Sequence, residues 1–184
     1  MLAFRSEHLR SMRRAVFPVL QSSPNQGALI AKAACLSLWS RQALRSFAAD
    51  LRANAQTLST ALEPTFGTPV YGLTETHLVL VDVRGIAPTG KQAEDRLEAA
   101  CVLANRNQVP NDPLPPWEGS GLRFGSTVAT ILNYSTSDLL RLGRAIGDLV
   151  RGSEPEPGLI DELLDRYHRT VVNTASGPRG AATS

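Results

Sequence analysis

Asn105-Arg106-Asn107-Gln108-Val109-Pro110-Asn111-Asp112-Pro113, running on to Ser120-Gly121-Leu122-Arg123-Phe124-Gly125, sets an Asn-rich, Pro-locked loop before a short strand. That strand carries one arginine. An arginine at a strand end offers a planar donor fork that matches a carboxylate. On the residues alone a structural ion-pair role outweighs that one, since strand-end arginines usually solvate or cap. Asn107 has the same two readings, because Asx side chains stabilise turns and also donate and accept together toward a ligand.

Outward from this stretch, the elements alternate. Upstream, His77–Val83 reads as a strand, and a shorter one is expected near Pro69 to Tyr71. Thr89-Gly90-Lys91-Gln92 has capping-box spacing and opens a helix to about Ala100, with a short strand near Val102. Downstream, Ser135-Thr136-Ser137-Asp138 caps a helix whose apolar face is Leu139, Leu140, Leu142, Ile146, Leu149 and Val150. Gly152 is its natural stop. A linker, Ser153 to Gly158, leads to a last helix from Leu159 to about Val172, and Ser176–Ser184 is a polar tail expected to fray.

The first third is helical in composition. Ser6 to Arg14 forms a helix with Ser6 as N-cap. Gln21 to Gly27 is a loop by its turn residues. Ala28 to about Leu62 is a long helix, or two helices breaking near Trp39-Ser40, ended by Pro64 and Gly67. The strand-helix-strand-strand-helix order after residue 65 gives a small α/β layer with its helices on one face.

Bulk properties exclude several classes. Hydrophobic content of 42% and charged content of 20% mark a folded chain, not a disordered one. A net charge of +2 makes no electrostatic case for nucleic acid. No apolar run approaches the ~20 residues needed to span a bilayer. The arginine-rich stretch Met1 to Val16 has transit-peptide character, but Glu7 argues against it, and a cytoplasmic protein is expected. Cys35 and Cys101 are expected to be buried, reduced thiols. No cysteine or histidine spacing suggests a metal. Lys32 and Lys91 are the only lysines. A Schiff-base role for Lys91 competes with a solvated one, which its capped first turn and neighbours Glu94 and Asp95 favour. His77, His8 and His168 read as packed or solvated residues and not as bases.

Several blocks in the same order resemble serine hydroxymethyltransferase, spanning residues ~2–150. They include Ala15–Gln21, Ala53–Leu58, Thr76–Arg84, Thr89–Glu94 and the block from Asn105-Arg106-Asn107 to Arg123-Phe124-Gly125. The resemblance implies the C-terminal small domain of a fold-type-I pyridoxal-phosphate transferase, preceded by a long helix. Domains are expected at 1–62 (helical, continuing from a large domain), 63–152 (small α/β domain) and 153–184 (helix and tail). The family's cofactor lysine, the aspartate on the pyridine nitrogen and the histidine on the ring lie upstream of these blocks. No residue here is therefore expected to be the catalytic lysine.

Carried over residue by residue, Arg123 matches the arginine that binds the amino acid's α-carboxylate. Asn107 matches an asparagine that contacts the pterin of tetrahydrofolate. Ser22 and Ser23 stand where paired glycines reach the cofactor phosphate of the neighbouring subunit. Leu132 and Asn133 replace an Arg-Gly pair, and Gly27 replaces a histidine. The implied function is the C-terminal half of a split enzyme for serine/glycine hydroxymethyl transfer. It would use pyridoxal 5'-phosphate shared with an N-terminal partner polypeptide, and possess no catalysis alone. A heteromer built on a dimer, with tetrahydrofolate as carrier, follows from the same resemblance. The alternatives are a threonine transaldolase, aldolase or α-methylserine-type variant, and a non-catalytic interaction subunit. A small domain separated from its partner should also expose a large apolar patch on the Ala28–Leu62 helix.

Overall fold

A computed structural model of the chain describes residues 5–20 and 22–175. Gln21 and the tail expected to fray lie outside the described residues. The chain divides into two compact units after Arg45.

In the first unit, a 3-10 turn over Ser6–His8 leads into α1 (Leu9–Arg14). Ser6 lies inside this turn, so it does not cap it: Arg5 is the N-cap residue and makes no side-chain cap bond. A kinked π-type segment, Ala15–Leu20, follows, with Phe17 extended at its centre. α2 (Gln26–Leu38) begins at Asn25, whose Oδ1 accepts the Ala28 amide at 3.0 Å. No residue of α2 is buried, and Leu29, Ile30, Leu36 and Leu38 are all largely exposed. The helical stretch breaks at Trp39-Ser40, one of the two expected arrangements, and α3 runs from Arg41 to Phe66. The expected apolar patch thus lies on α2, while the second half of α3 is a core element.

Pro64 does not end α3. It sits in the last turn, where the missing N–H removes a single bond, and the helix closes at Gly67 in the left-handed region (φ 72°). Pro69 to Tyr71 is a turn, closed by the Gly72 amide on the Pro69 carbonyl, and not a strand. One backbone bond, from Val70 N to Leu80 O at 3.0 Å, is its whole pairing.

The second unit is built on a three-stranded antiparallel sheet in the order β1 (Leu78–Asp82), β3 (Gly121–Gly125), β2 (Asn105–Asn107). β2 falls inside the stretch read as a loop, and no strand forms at Val102. Asparagine has poor strand propensity, but a three-residue edge strand needs only one paired side. Val79 and Val81 of β1 and Leu122 and Phe124 of β3 point to one face, as the period of two dictates. Against them pack Leu58 and Leu62 of α3, Ala93 and Leu97 of α4 (Gly90–Ala99), and Ile146 and Val150 of α6 (Thr136–Arg151). The helices therefore lie on one face of the sheet, making the expected α/β layer.

Two helix signals work as read. Thr89 Oγ1 accepts the Gln92 amide at 3.1 Å to start α4. Ser135 and Asp138 form a reciprocal capping box on α6, which ends on left-handed Gly152. α6 approaches α3 closely through Gly143 and Gly147. A Cβ on Gly143 would meet the Ala61 Cβ at 2.3 Å, and one on Gly147 the Thr65 Oγ1 at 2.2 Å. Between β3 and α6, the short helix α5 (Thr127–Ile131) was not signalled by the sequence.

α7 (Leu159–Ala175) docks on α6 through Leu159 and Leu163 against Ala145. Charges lock it there. Arg166 donates to Asp138 at 2.6 Å, Arg141 to Glu156 at 2.7 Å, and Tyr134 Oη to the Leu163 carbonyl at 3.1 Å. Both cysteines are exposed, contrary to the expectation. Cys35 shares the uncovered state of α2, and Cys101 occupies the left-handed exit of α4 (φ 60°).

Candidate functional site on the open face of the sheet

The face of the sheet opposite the helices carries the candidate residues Arg123 and Asn107. Arg123 occupies the centre of β3, directly across from Leu80 on β1 and Asn105 on β2. One pair further along, Gly121 lies between Asp82 and Asn107. Arg123, Asn105, Asn107 and Asp82 consequently share one face, with Leu78 and Leu80 forming its apolar margin. Arg123 is exposed and has neither an ion pair nor a side-chain hydrogen bond among the described residues. A structural ion-pair role, the other reading open for it, has no partner here. Asp82 is engaged by Arg84, whose Nε lies 2.8 Å from its Oδ2. Burial raises the Asp82 carboxyl, but its bonds to Arg84 outweigh this and its pKa is lowered.

Asn107 is half-buried and directs Nδ2 to the Gln108 carbonyl at 2.7 Å. That leaves Oδ1 and the second N–H hydrogen without protein partners among the described residues. The segment beyond it, residues 108–120, is held by Asp112. Its two carboxylate oxygens accept from the amides of Val109 (3.0 Å), Leu114 (2.9 Å) and Ser120 (2.7 Å), and from Ser120 Oγ (2.7 Å). Burial pushes this carboxyl up, yet the four bonds prevail and hold its pKa at about 2. Gly119 (φ 58°) then lets the chain pass so near β2 that a Cβ would lie 2.6 Å from the Asn107 carbonyl oxygen. Gly121 is equally confined, with Val81 O at 2.9 Å from where a Cβ would be.

Sequence reasoning identified Arg123 and Asn107 separately, and the sheet brings them together. It missed Asp112. The usable signal was Asp112-Pro113, since an aspartate in a turn accepts the amide two residues on, here Leu114. Ser22 and Ser23 stand in the first unit, exposed, just ahead of Asn25 and the first turn of α2. Lys91 is paired with Asp95 on the surface of α4, and Lys32 is exposed on α2. Neither lysine belongs to the sheet face. His77 is exposed beside a groove of about 450 Å³ shared with Arg52 and Glu75, and its carbonyl accepts the Ser126 amide. Asn133 adopts φ 54°, and Leu132 is buried. The described residues contain no group of acidic, histidine or cysteine side chains that could hold a metal ion, and no helix long and apolar enough to cross a membrane.

The family model of serine hydroxymethyltransferase matches residues 4–146, which takes in the whole sheet face and the loop behind it. The chain belongs to the serine hydroxymethyltransferase family. It is 37% identical over 143 residues to the serine hydroxymethyltransferase of Rhizorhabdus wittichii, covering 78% of this chain and 33% of that protein. It is 39% identical over 141 residues to the 2-methylserine hydroxymethyltransferase of an Aminobacter species, covering 77% and 33%. Identity to the serine hydroxymethyltransferase of Sphingopyxis alaskensis is 35% over 171 residues, or 93% of this chain and 37% of that one. The chain thus spans about a third of the length of these relatives. α7 lies beyond the stretch matched by the serine hydroxymethyltransferase family model.

Proposed function

We propose that this chain contributes the substrate-carboxylate side of a hydroxymethyl-transfer site, completed by a polypeptide that carries the cofactor lysine. The observation behind this reading is Arg123: a guanidinium unpaired among the described residues, at the centre of an open sheet face, in a chain of this family. A planar fork there takes both oxygens of an α-carboxylate and fixes the amino acid's orientation. Leu80 beside it gives the carboxylate carbon an apolar neighbour, and Asn105 across the strand supplies an amide. Asn107, on the same face, offers its free Oδ1 and N–H to the carrier of the one-carbon unit.

Pyridoxal phosphate, when bound, supplies the electron sink for bond cleavage at the α-carbon. The residues present fit only part of its site. Ser22 and Ser23 stand before a helix N-terminus, where a phosphate is favoured, while both lysines stand off the sheet face. On this reading a partner polypeptide supplies the lysine, and tetrahydrofolate is the proposed carrier.

A second reading has its own support. Two similar proteins, from Aminobacter and Paracoccus species, are 2-methylserine hydroxymethyltransferases. On this reading Arg123 does the same work for an α-methylated amino acid.

The decisive experiment co-expresses the chain with the polypeptide encoded immediately upstream and records the visible spectrum of what co-purifies. A stable complex with a pyridoxal-phosphate band that shifts on adding glycine, and no longer shifts in Arg123→Ala, is expected. A shift with 2-methylserine exceeding that with serine selects the second reading. Colourless protein that captures no partner overturns the enzymatic reading and leaves a non-catalytic interaction subunit.

A further inference from the structure

Away from the sheet face, one groove gathers three side chains that the site above does not use. Arg52 on α3, with Glu75 and His77 at the entry to β1, line a space of about 450 Å³. None of the three makes an ion pair or a side-chain hydrogen bond among the described residues. A cation and a carboxylate thus share a groove without closing on each other.

Both walls of this groove are fixed. Ser126, only 1% exposed, donates its hydroxyl to the Leu51 carbonyl at 2.7 Å and its amide to the His77 carbonyl at 2.9 Å. One buried residue therefore clamps α3 to the strand entry. Gln56 Nε2 adds a second tie, to the Thr74 carbonyl at 3.1 Å. The Thr74 hydroxyl donates to the Leu78 carbonyl at 2.7 Å, and its oxygen accepts the Thr76 amide at 3.1 Å, which sets the backbone that carries Glu75. Walls set before a ligand arrives spare it the cost of ordering them.

The lining selects a class of ligand. Ala48, Ala49 and Arg52 share one face of α3 by their spacing of three and four, and the two methyl groups leave the groove open beside the guanidinium. A volume of this size suits a small molecule. One guanidinium beside a carboxylate makes no site for a polyphosphate or a nucleic acid, which need several cations. A molecule with one carboxylate and one ammonium meets both charges, and the planar fork of Arg52 matches its carboxylate.

We propose that this groove binds a free α-amino acid as its zwitterion, with the carboxylate on Arg52, the ammonium on Glu75 and a short apolar side chain against Ala48 and Ala49. His77 offers an imidazole nitrogen to the same carboxylate. The groove shares no residue with the face that carries Arg123, so the proposal stands apart from the functional reading above.

The test titrates L-alanine by calorimetry into the full chain, with its partner polypeptide where one co-purifies, in an Arg123→Ala background that removes the proposed substrate fork. Saturable binding is expected, weakened about ten- to one-hundred-fold by Arg52→Gln or by Glu75→Gln, the loss of one charged hydrogen bond. Propionate and ethylamine, each with one of the two charges, should bind more weakly by a similar factor. Both variants should keep the parent melting temperature, since neither side chain has a partner to lose among the described residues. No saturable binding to Arg123→Ala overturns the groove; where the parent chain still binds L-alanine, the amino acid belongs to the sheet face and the functional reading is spared. Propionate binding as tightly as L-alanine overturns the zwitterion. Loss of partner capture in Arg52→Gln, with L-alanine binding untouched, makes the groove a protein contact and overturns the proposal too.

Discussion

Arg123 and Asn107 emerge on the same face of the sheet and are diagonal neighbours across the β2–β3 ladder, because Asn105 pairs with Arg123 and Asn107 with Gly121. Such diagonals stand about 7–8 Å apart, within the reach of two ends of one bound assembly. Replacing Arg123 therefore isolates ligand binding from folding. Arg123→Lys should weaken amino-acid binding in the complex roughly 10- to 100-fold, the loss expected for a bidentate charged pair. Thermal stability should be unchanged, since the guanidinium has no partner to lose among the described residues. A drop in melting temperature alongside the binding loss would assign Arg123 a structural role instead.

Asp112 organises the loop between β2 and β3 through bonds to three amides and a hydroxyl. Asp112→Ala orphans those donors and should cost on the order of 1–3 kcal/mol. Hydrogen exchange should rise across residues 108–120 while α3 and α6 stay protected. Uniform loss of protection across the unit would show that the loop and core are not separable.

Gly143→Ala separates two opposed effects. Helix propensity alone makes the change stabilising by about 1 kcal/mol. The new Cβ, however, would sit 2.3 Å from that of Ala61 on α3, and overpacking of this kind costs about 1–3 kcal/mol. We expect net destabilisation in denaturant unfolding. A stabilised variant would show that α3 and α6 can part without penalty.

Asp138 gives the fold a pH signature. The Arg166 guanidinium is the main influence, and with the Ser135 bonds it outweighs burial, holding the carboxyl at about 2. A folded pKa below the unfolded value near 4 means the stabilisation is complete above about pH 4. It fades as pH falls from there through 2. The contribution is about 2 kcal/mol. Asp112 titrates in the same window, so the two are told apart by substitution: Asp138→Asn should remove one part of the acid transition, and α7 should loosen first. An unchanged acid limb in Asp138→Asn would refute this assignment.

Legibility in the sequence followed how local the determining physics is. The Ser135–Asp138 box, the Gly152 exit, the Thr89 cap and the Trp39-Ser40 break are set within four residues, and each was readable. β2 was not, because Asn105–Asn107 is a strand only by virtue of its pairing with β3. Pro64 misled for the same reason, since position in the last turn decides its cost. Of the site, Arg123 and Asn107 were readable as chemistry, but their shared face is a property of register. Cys35 was read as buried because α2 is apolar in composition, whereas no residue of α2 is buried.

Leu132 and Asn133 stand at the turn after α5 where the resembling family has arginine and glycine. Asn133 holds a left-handed backbone at φ 54°, which asparagine tolerates. Leu132 is only 6% exposed. An arginine there would strand a charge among apolar packing, at a cost far above what most single changes impose. The two positions thus differ in what they admit: one accepts a glycine without repacking, the other accepts a charge only if the surrounding core is rebuilt.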